Sequence, residues 1–187
     1  MIMKKHITTL LSILVLSTST FAQFYQRTSV DWNGIKLDEN SVIGIAFEIK
    51  EANFGGLSFS DRCDVDPELE TEWPDAVTRC VNSANQYMNR LYGQYVPYGQ
   101  TAHSIHYTTK TEGKSYVIVV KVLSVASDGW TIADATFTTP YGVATFTNLV
   151  GKGGRFGSFV NLMGDGFESI GEELAKRIYK AKERKKI

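Results

Sequence analysis

The sequence predicts an α+β domain: an antiparallel or mixed sheet of about four to five strands with two helices packed on one face. Three observations carry that expectation. Apolar residues recur at three-and-four spacing in two separated stretches, each forming one helical stripe. Four or more β-branched and aromatic runs are bounded by glycine, proline and Asp-Gly turns. Their order is strand, helix, strand, strand, strand, strand, helix, which suits a sheet with segregated helices rather than a repeating β-α wheel.

The first strand is Val42 to Lys50, apolar at Val42, Ile43, Ile45, Phe47 and Ile49. Gly55-Gly56 interrupts it, with Leu57 to Phe59 expected to resume after a bulge. Asp61 to Asp75 reads as a polar loop carrying Pro67 and Pro74, with Pro74 expected at a helix first turn. From there Val77, Cys80, Val81, Ala84, Tyr87, Met88 and Leu91 form the buried stripe of a helix that Gly93 ends. Ser104 to Lys110 and Tyr116 to Val125 follow as strands, the second apolar on both sides and so expected to be covered on both faces. Ser127-Asp128-Gly129 and Pro140-Tyr141-Gly142 turn the chain into Trp130 to Thr138 and Val143 to Val150, an antiparallel meander. The closing helix carries Leu162, Met163, Phe167, Ile170, Leu174, Ala175, Ile178 and Tyr179 on one side. Gly164 and Gly166 weaken its first turns, so a start or kink near Phe167 is expected.

Residues 1–22 have the form of a secretory signal peptide. Lys4 and Lys5 precede an apolar run from Ile7 to Leu16, and Thr20-Phe21-Ala22 supplies the small residues of a cleavage site before Gln23. The run is too short to be expected to span a bilayer. Residues 23–187 then form one domain, periplasmic or secreted. Of the 20 bases in the chain, Lys4 and Lys5 leave with the leader, so 18 face 20 acids, a formal −2. That balance argues against a nucleic-acid partner. Export removes the cytosolic nucleotide and reductant supply, which argues against kinase, NTPase and dehydrogenase chemistry.

Cys63 and Cys80 are the chain's two cysteines, and in an exported protein a disulfide between them is expected; the alternative is two free thiols. Asp61, Asp64 and Asp66, followed by Glu68, Glu70 and Glu72, offer the hard oxygen ligands calcium takes. No glycine stands at the central turn and the EF-hand spacing is missing, so a solvated acidic stretch is preferred and no cofactor is expected. His103 and His106, three apart on a strand, point to opposite faces and suit no shared metal. Gly151 to Ser158, with Lys152 and Arg155, suggests an anion cradle but fits neither the Walker nor the dinucleotide spacing. Close packing and a sharp bend explain its glycines better. Tyr92, Tyr95 and Tyr98, near Tyr87 and Trp73, concentrate amphipathic rings suited to a sugar or protein surface. The basic end after Lys176 reads as a solvated helix terminus rather than a lipid-binding patch. No nucleophile, base and acid share a recognisable motif, so catalysis has no support in the sequence.

At Tyr116-Val117-Ile118-Val119-Val120-Lys121-Val122, Ala133-Asp134-Ala135-Thr136-Phe137 and Gly151 through Ala175, the chain resembles uncharacterised exported proteins of Bacteroidetes. More remotely it is similar to small α/β domains of envelope proteins, such as the curli-secretion lipoprotein and the N-terminal domain of the Tol-Pal translocation protein. The resemblance spans residues 42–180 and implies a binding or assembly role in the envelope, with no catalytic residues to carry over. It departs in lacking a lipid-accepting cysteine at the cleavage site. A non-enzymatic module that binds an envelope protein is therefore the expectation, with a glycan-binding or glycan-processing accessory protein as the alternative. Tyr92, Tyr95, Tyr98, Lys152 and Arg155 are its expected contact residues.

Overall fold

The computed structural model describes residues 29–32, 35–38, 40–92, 105–184 and 187. The expected leader and cleavage site, Gly93, Tyr95, Tyr98 and His103 lie outside the described residues, and Tyr92 enters only as the last residue of a helix. The strands are β1 Ser29–Asp31, β2 Val42–Glu48, β3 Asn53–Phe54, β4 His106–Thr108, β5 Tyr116–Val125, β6 Thr131–Thr139 and β7 Gly142–Gly151. The helices are α1 Phe59–Val65, α2 Glu68–Tyr92 and α3 Phe159–Glu183.

The sheet is mixed, in the order β1-β7-β6-β5-β2-β4, with β3 pairing β5 beyond the end of β2. β2 runs parallel to both β4 and β5, while β5, β6, β7 and β1 form antiparallel pairs. Seven strands exceed the expected four to five because β1 and β3 are only three and two residues long, too short to leave a period in the sequence. After Gly55 and Gly56, both at positive φ, Phe59 opens α1 instead of resuming a strand.

Both long helices lie on one sheet face. Val81, Ala84 and Met88 of α2 and Ile170, Leu174 and Ile178 of α3 share one core with Ile43, Ile45, Ile118, Val120, Ala135, Phe137 and Phe146. The strands alternate accordingly. In β5, Tyr116, Ile118, Val120 and Val122 are buried, whereas Val117 and Val119 are half-buried and Lys121 and Leu123 exposed. The expectation that β5 is covered on both faces is thus corrected. Part of the second face is crossed by the link from β4 to β5. A Cβ on Gly44 would meet the Lys110 carbonyl and Thr111 at 2.9 Å, so only glycine lets that link pass.

The expected loop from Asp61 to Asp75 is helical instead. The Ser58 hydroxyl accepts from the Asp61 N–H and caps α1, and Arg62 pairs with Asp66 one turn on at 2.5 Å. Helix α2 begins at Glu68 and passes through Pro74. An interior proline costs about 3 kcal/mol. Here Leu69, wholly buried, anchors the turn before it and offsets much of that with about 2 kcal/mol of burial. Helix α3 likewise starts earlier than expected, at Phe159, with Ser158 as its cap.

Gly166 and Gly171 sit in α3 because neighbouring backbone comes close. A Cβ on Gly171 would collide with the Cys80 carbonyl of α2, and one on Gly166 with the Gly129 carbonyl in the β5–β6 turn. The helical penalty of those glycines, up to about 1 kcal/mol each, is the cost of that close docking.

Candidate functional site

The most apolar of the described pockets lies where β2 leaves the sheet. It is a cavity of about 410 Å³ lined by Phe47, Glu48, Ile49, Lys50, Glu51, Phe59, Trp73 and Lys121. Its floor is aromatic because three elements converge there. Phe47 stacks on Phe167 of α3, ring centroids 4.4 Å apart and planes 19° apart, which fixes the ring from behind. Phe59 at the start of α1 packs against the buried Phe54 ring at 5.6 Å. Trp73 projects from α2 one turn before Val77, half-buried. Beneath this floor the Arg62 guanidinium lies 3.8 Å from the centre of the Phe159 ring.

Charge surrounds the mouth. Lys121 of β5 reaches Glu51 at 2.9 Å. The hydrogen bond and charge of Lys121 hold the Glu51 carboxyl below its usual range, and Glu51 in turn raises the Lys121 ammonium. Glu48 and Lys50 complete a rim of alternating sign.

Three further groups, Cys63, Cys80 and Tyr116, are all shifted upward. Burial raises the Cys63 and Cys80 thiols, with Glu70 and Asp64 adding to the effect at Cys63. Tyr116 is raised by burial and by its 2.6 Å hydrogen bond to Asp38. Each is held more firmly in the form it already has at neutral pH, the reverse of an activated nucleophile or a poised base.

The expected contact residues do not meet at this pocket. Lys152 and Arg155 are exposed on the link between β7 and α3. Ser158 caps the α3 N-terminus there: Asn161 donates to the Ser158 hydroxyl and Leu162 to the Ser158 carbonyl. Gly151, Gly153 and Gly154 lie so close to Gly166, Asp128 and Asp165 that a Cβ on any would collide, so these glycines serve packing. Phe156 on the same link is 92% exposed. The Tyr92 side chain, Tyr95 and Tyr98 lie outside the described residues. Tyr87 is half-buried against the main core with Arg90 over its ring.

The expected Cys63–Cys80 bridge is corrected: both are free thiols. Cys80 is wholly buried in α2, whose backbone at that residue meets Gly171 of α3, while Cys63 sits half-buried on α1. Asp61, Asp64 and Asp66 do not form a cation site. Asp61 accepts from the Ser58 hydroxyl at 2.7 Å, Asp66 pairs with Arg62, and no group of three metal-ligating side chains gathers among the described residues. His106 uses its backbone to extend the sheet, donating to Ser41. No described helix is long and apolar enough to cross a membrane.

Sequence reasoning missed Phe47, Phe59, Trp73, Glu51 and Lys121 as one site. The signal for Trp73 was present: Leu69 and Trp73 extend the stripe of Val77 backwards at four-residue spacing, through a proline that argued for a boundary.

Against known proteins, no family model, no curated protein and no solved structure matches the chain.

Proposed function

We propose that the chain is an exported, non-catalytic binding or assembly module of the bacterial cell envelope, and that the pocket beside the end of β2 is its binding site. One observation carries the reading: three rings on three separate elements, Phe47, Phe59 and Trp73, converge on one open cavity with a charged rim. Aromatic floors with polar or charged groups at the mouth are what recognition sites use to combine affinity with orientation. The raised Cys63, Cys80 and Tyr116 ionisations fit binding better than nucleophilic catalysis. The exported location rests on the form of residues 1–22.

The test is recovery of residues 23–187 from the native host after gentle cross-linking, beside a Trp73→Ala variant. A specific envelope protein recovered in stoichiometric amount by the parent and lost by the variant supports the reading. Recovery unchanged by the variant moves the site elsewhere.

A glycan ligand is the second reading, because the Trp73 ring lies beside two carboxylates, Glu48 and Glu51, the pairing of platform and acceptors that sugars require. Quenching of Trp73 fluorescence by soluble envelope oligosaccharides, with a Trp73→Phe variant as the blank, would favour it.

A further inference from the structure

We propose that the edge of β2 beyond β4, unpaired among the described residues, receives a strand from another polypeptide, an extended segment that seats an apolar side chain in the Phe47–Phe59–Trp73 pocket. The inference rests on reading that pocket as a binding site, and names the class of ligand that fills it.

The backbone of β2 is paired on the β4 side over only part of its length. The His106 N–H donates to the Ser41 carbonyl at 3.0 Å, and β4 pairs β2 only from Val42↔His106 to Gly44↔Thr108. In a parallel ladder, alternate residues of a strand address alternate neighbours. Ser41, Ile43 and Ile45 therefore address the β4 side, and Val42, Gly44, Ala46 and Glu48 address β5. Beyond Thr108 no described strand continues on the β4 side. The Ile45 carbonyl and both the N–H and carbonyl of Phe47 face outward there, with no hydrogen bond to another described residue. Such a row is a template for strand addition.

Acceptor, donor and acceptor at strand spacing match another polypeptide backbone, which carries both groups on each residue; an acyl chain carries neither. The side chains of Ile45 and Phe47 turn to the helix layer, where Phe59 and Trp73 complete the cavity. Every second residue of an added strand points the same way and meets that apolar floor, while those between face the side of Glu48 and Lys121. The partner segment therefore alternates apolar with polar residues. A two-fold pair of β2 edges from two copies is disfavoured, because each copy would push its Ile49–Ala52 turn into the slot its neighbour's β4 holds.

The probe is a blocked heptapeptide alternating threonine with valine and a central leucine, added to the mature chain. Two further peptides carry N-methyl groups on either the odd or the even amides. Amide exchange at Phe47 and Trp73 fluorescence are read together. We expect the parent peptide to slow exchange at Phe47 at least tenfold, and one methylation phase, but not the other, to weaken binding at least tenfold.

Equal binding of both methylated peptides would overturn strand addition while leaving the pocket as a site. Failure of the peptide to bind would overturn it as well, with the Trp73→Ala recovery experiment deciding whether the binding reading falls too. Protection of Phe47 that grows with protein concentration and needs no peptide would assign the edge to a second copy and overturn the proposal.

Discussion

The seam under α3 and the outer edge of β2 border the same core and are built in opposite ways. At the seam, backbone meets backbone: Gly171 lies against the Cys80 carbonyl, Gly166 against Gly129, and Gly151 against Gly166. At the edge, aromatic side chains from β2, α1 and α2 line a cavity of about 410 Å³. Phe47 belongs to both regions, stacked on Phe167 behind and open to the cavity in front. The difference teaches where the molecule is committed to one geometry and where it retains room for a ligand.

Truncating the ring on which the shared Phe47 stacks should have the largest effect. Phe167 is wholly buried, so Phe167→Ala should lower unfolding free energy by about 3–5 kcal/mol, read from urea midpoints. Gly171→Ala comes next. Helical propensity alone would stabilise by about 1 kcal/mol. Collision with a backbone carbonyl reverses the sign, and a loss of about 2–3 kcal/mol is expected. Gly164→Ala is the control within the same helix, since its Cβ meets the Arg79 side chain rather than backbone. Its stability should change by less than about 1 kcal/mol.

At the far end of β5, Tyr116→Phe removes the hydrogen bond to Asp38 and should cost about 1 kcal/mol at neutral pH. The raised Tyr116 ionisation sets a pH dependence. Its contribution is fully present below the ordinary tyrosine value near 10 and is lost as pH rises through the higher folded value. The parent should therefore lose more stability than the variant above pH 10, measured by thermal melts across an alkaline series. Trp73→Ala should cost only about 1 kcal/mol, since the ring is half-buried, yet abolish binding at the pocket. The thiols give the smallest signal. Under non-reducing denaturation two thiols should titrate, and in the native protein Cys63 should react slowly while buried Cys80 does not. An intact mass two units lower would restore the bridge.

Much of the fold was legible because burial leaves a period. The stripes from Val77 to Leu91 and from Leu162 to Tyr179 lie within α2 and α3, and the bounds of β5 match the apolar run from Tyr116 to Val125. What stayed hidden lacks a period. β3 is two residues long, and the helical turns from Phe59 to Pro74 are acidic and proline-bearing, held by a few anchors such as Leu69. The pocket was illegible for a related reason. Phe47, Trp73 and Lys121 are far apart in sequence, and each looks like ordinary core or rim until β2, α2 and β5 are brought together. Glycines were legible as breakers of regularity, though not as the places where helix and hairpin touch.

The claim that the β2 edge stands open can be tested on the free protein, by native-state amide exchange residue by residue. The account predicts that the Phe47 N–H exchanges at least a hundredfold faster than the N–H groups of Ala46 and Glu48, which address β5. Protection at Phe47 equal to that of its two neighbours in the unliganded chain would contradict it, because the edge would already be covered.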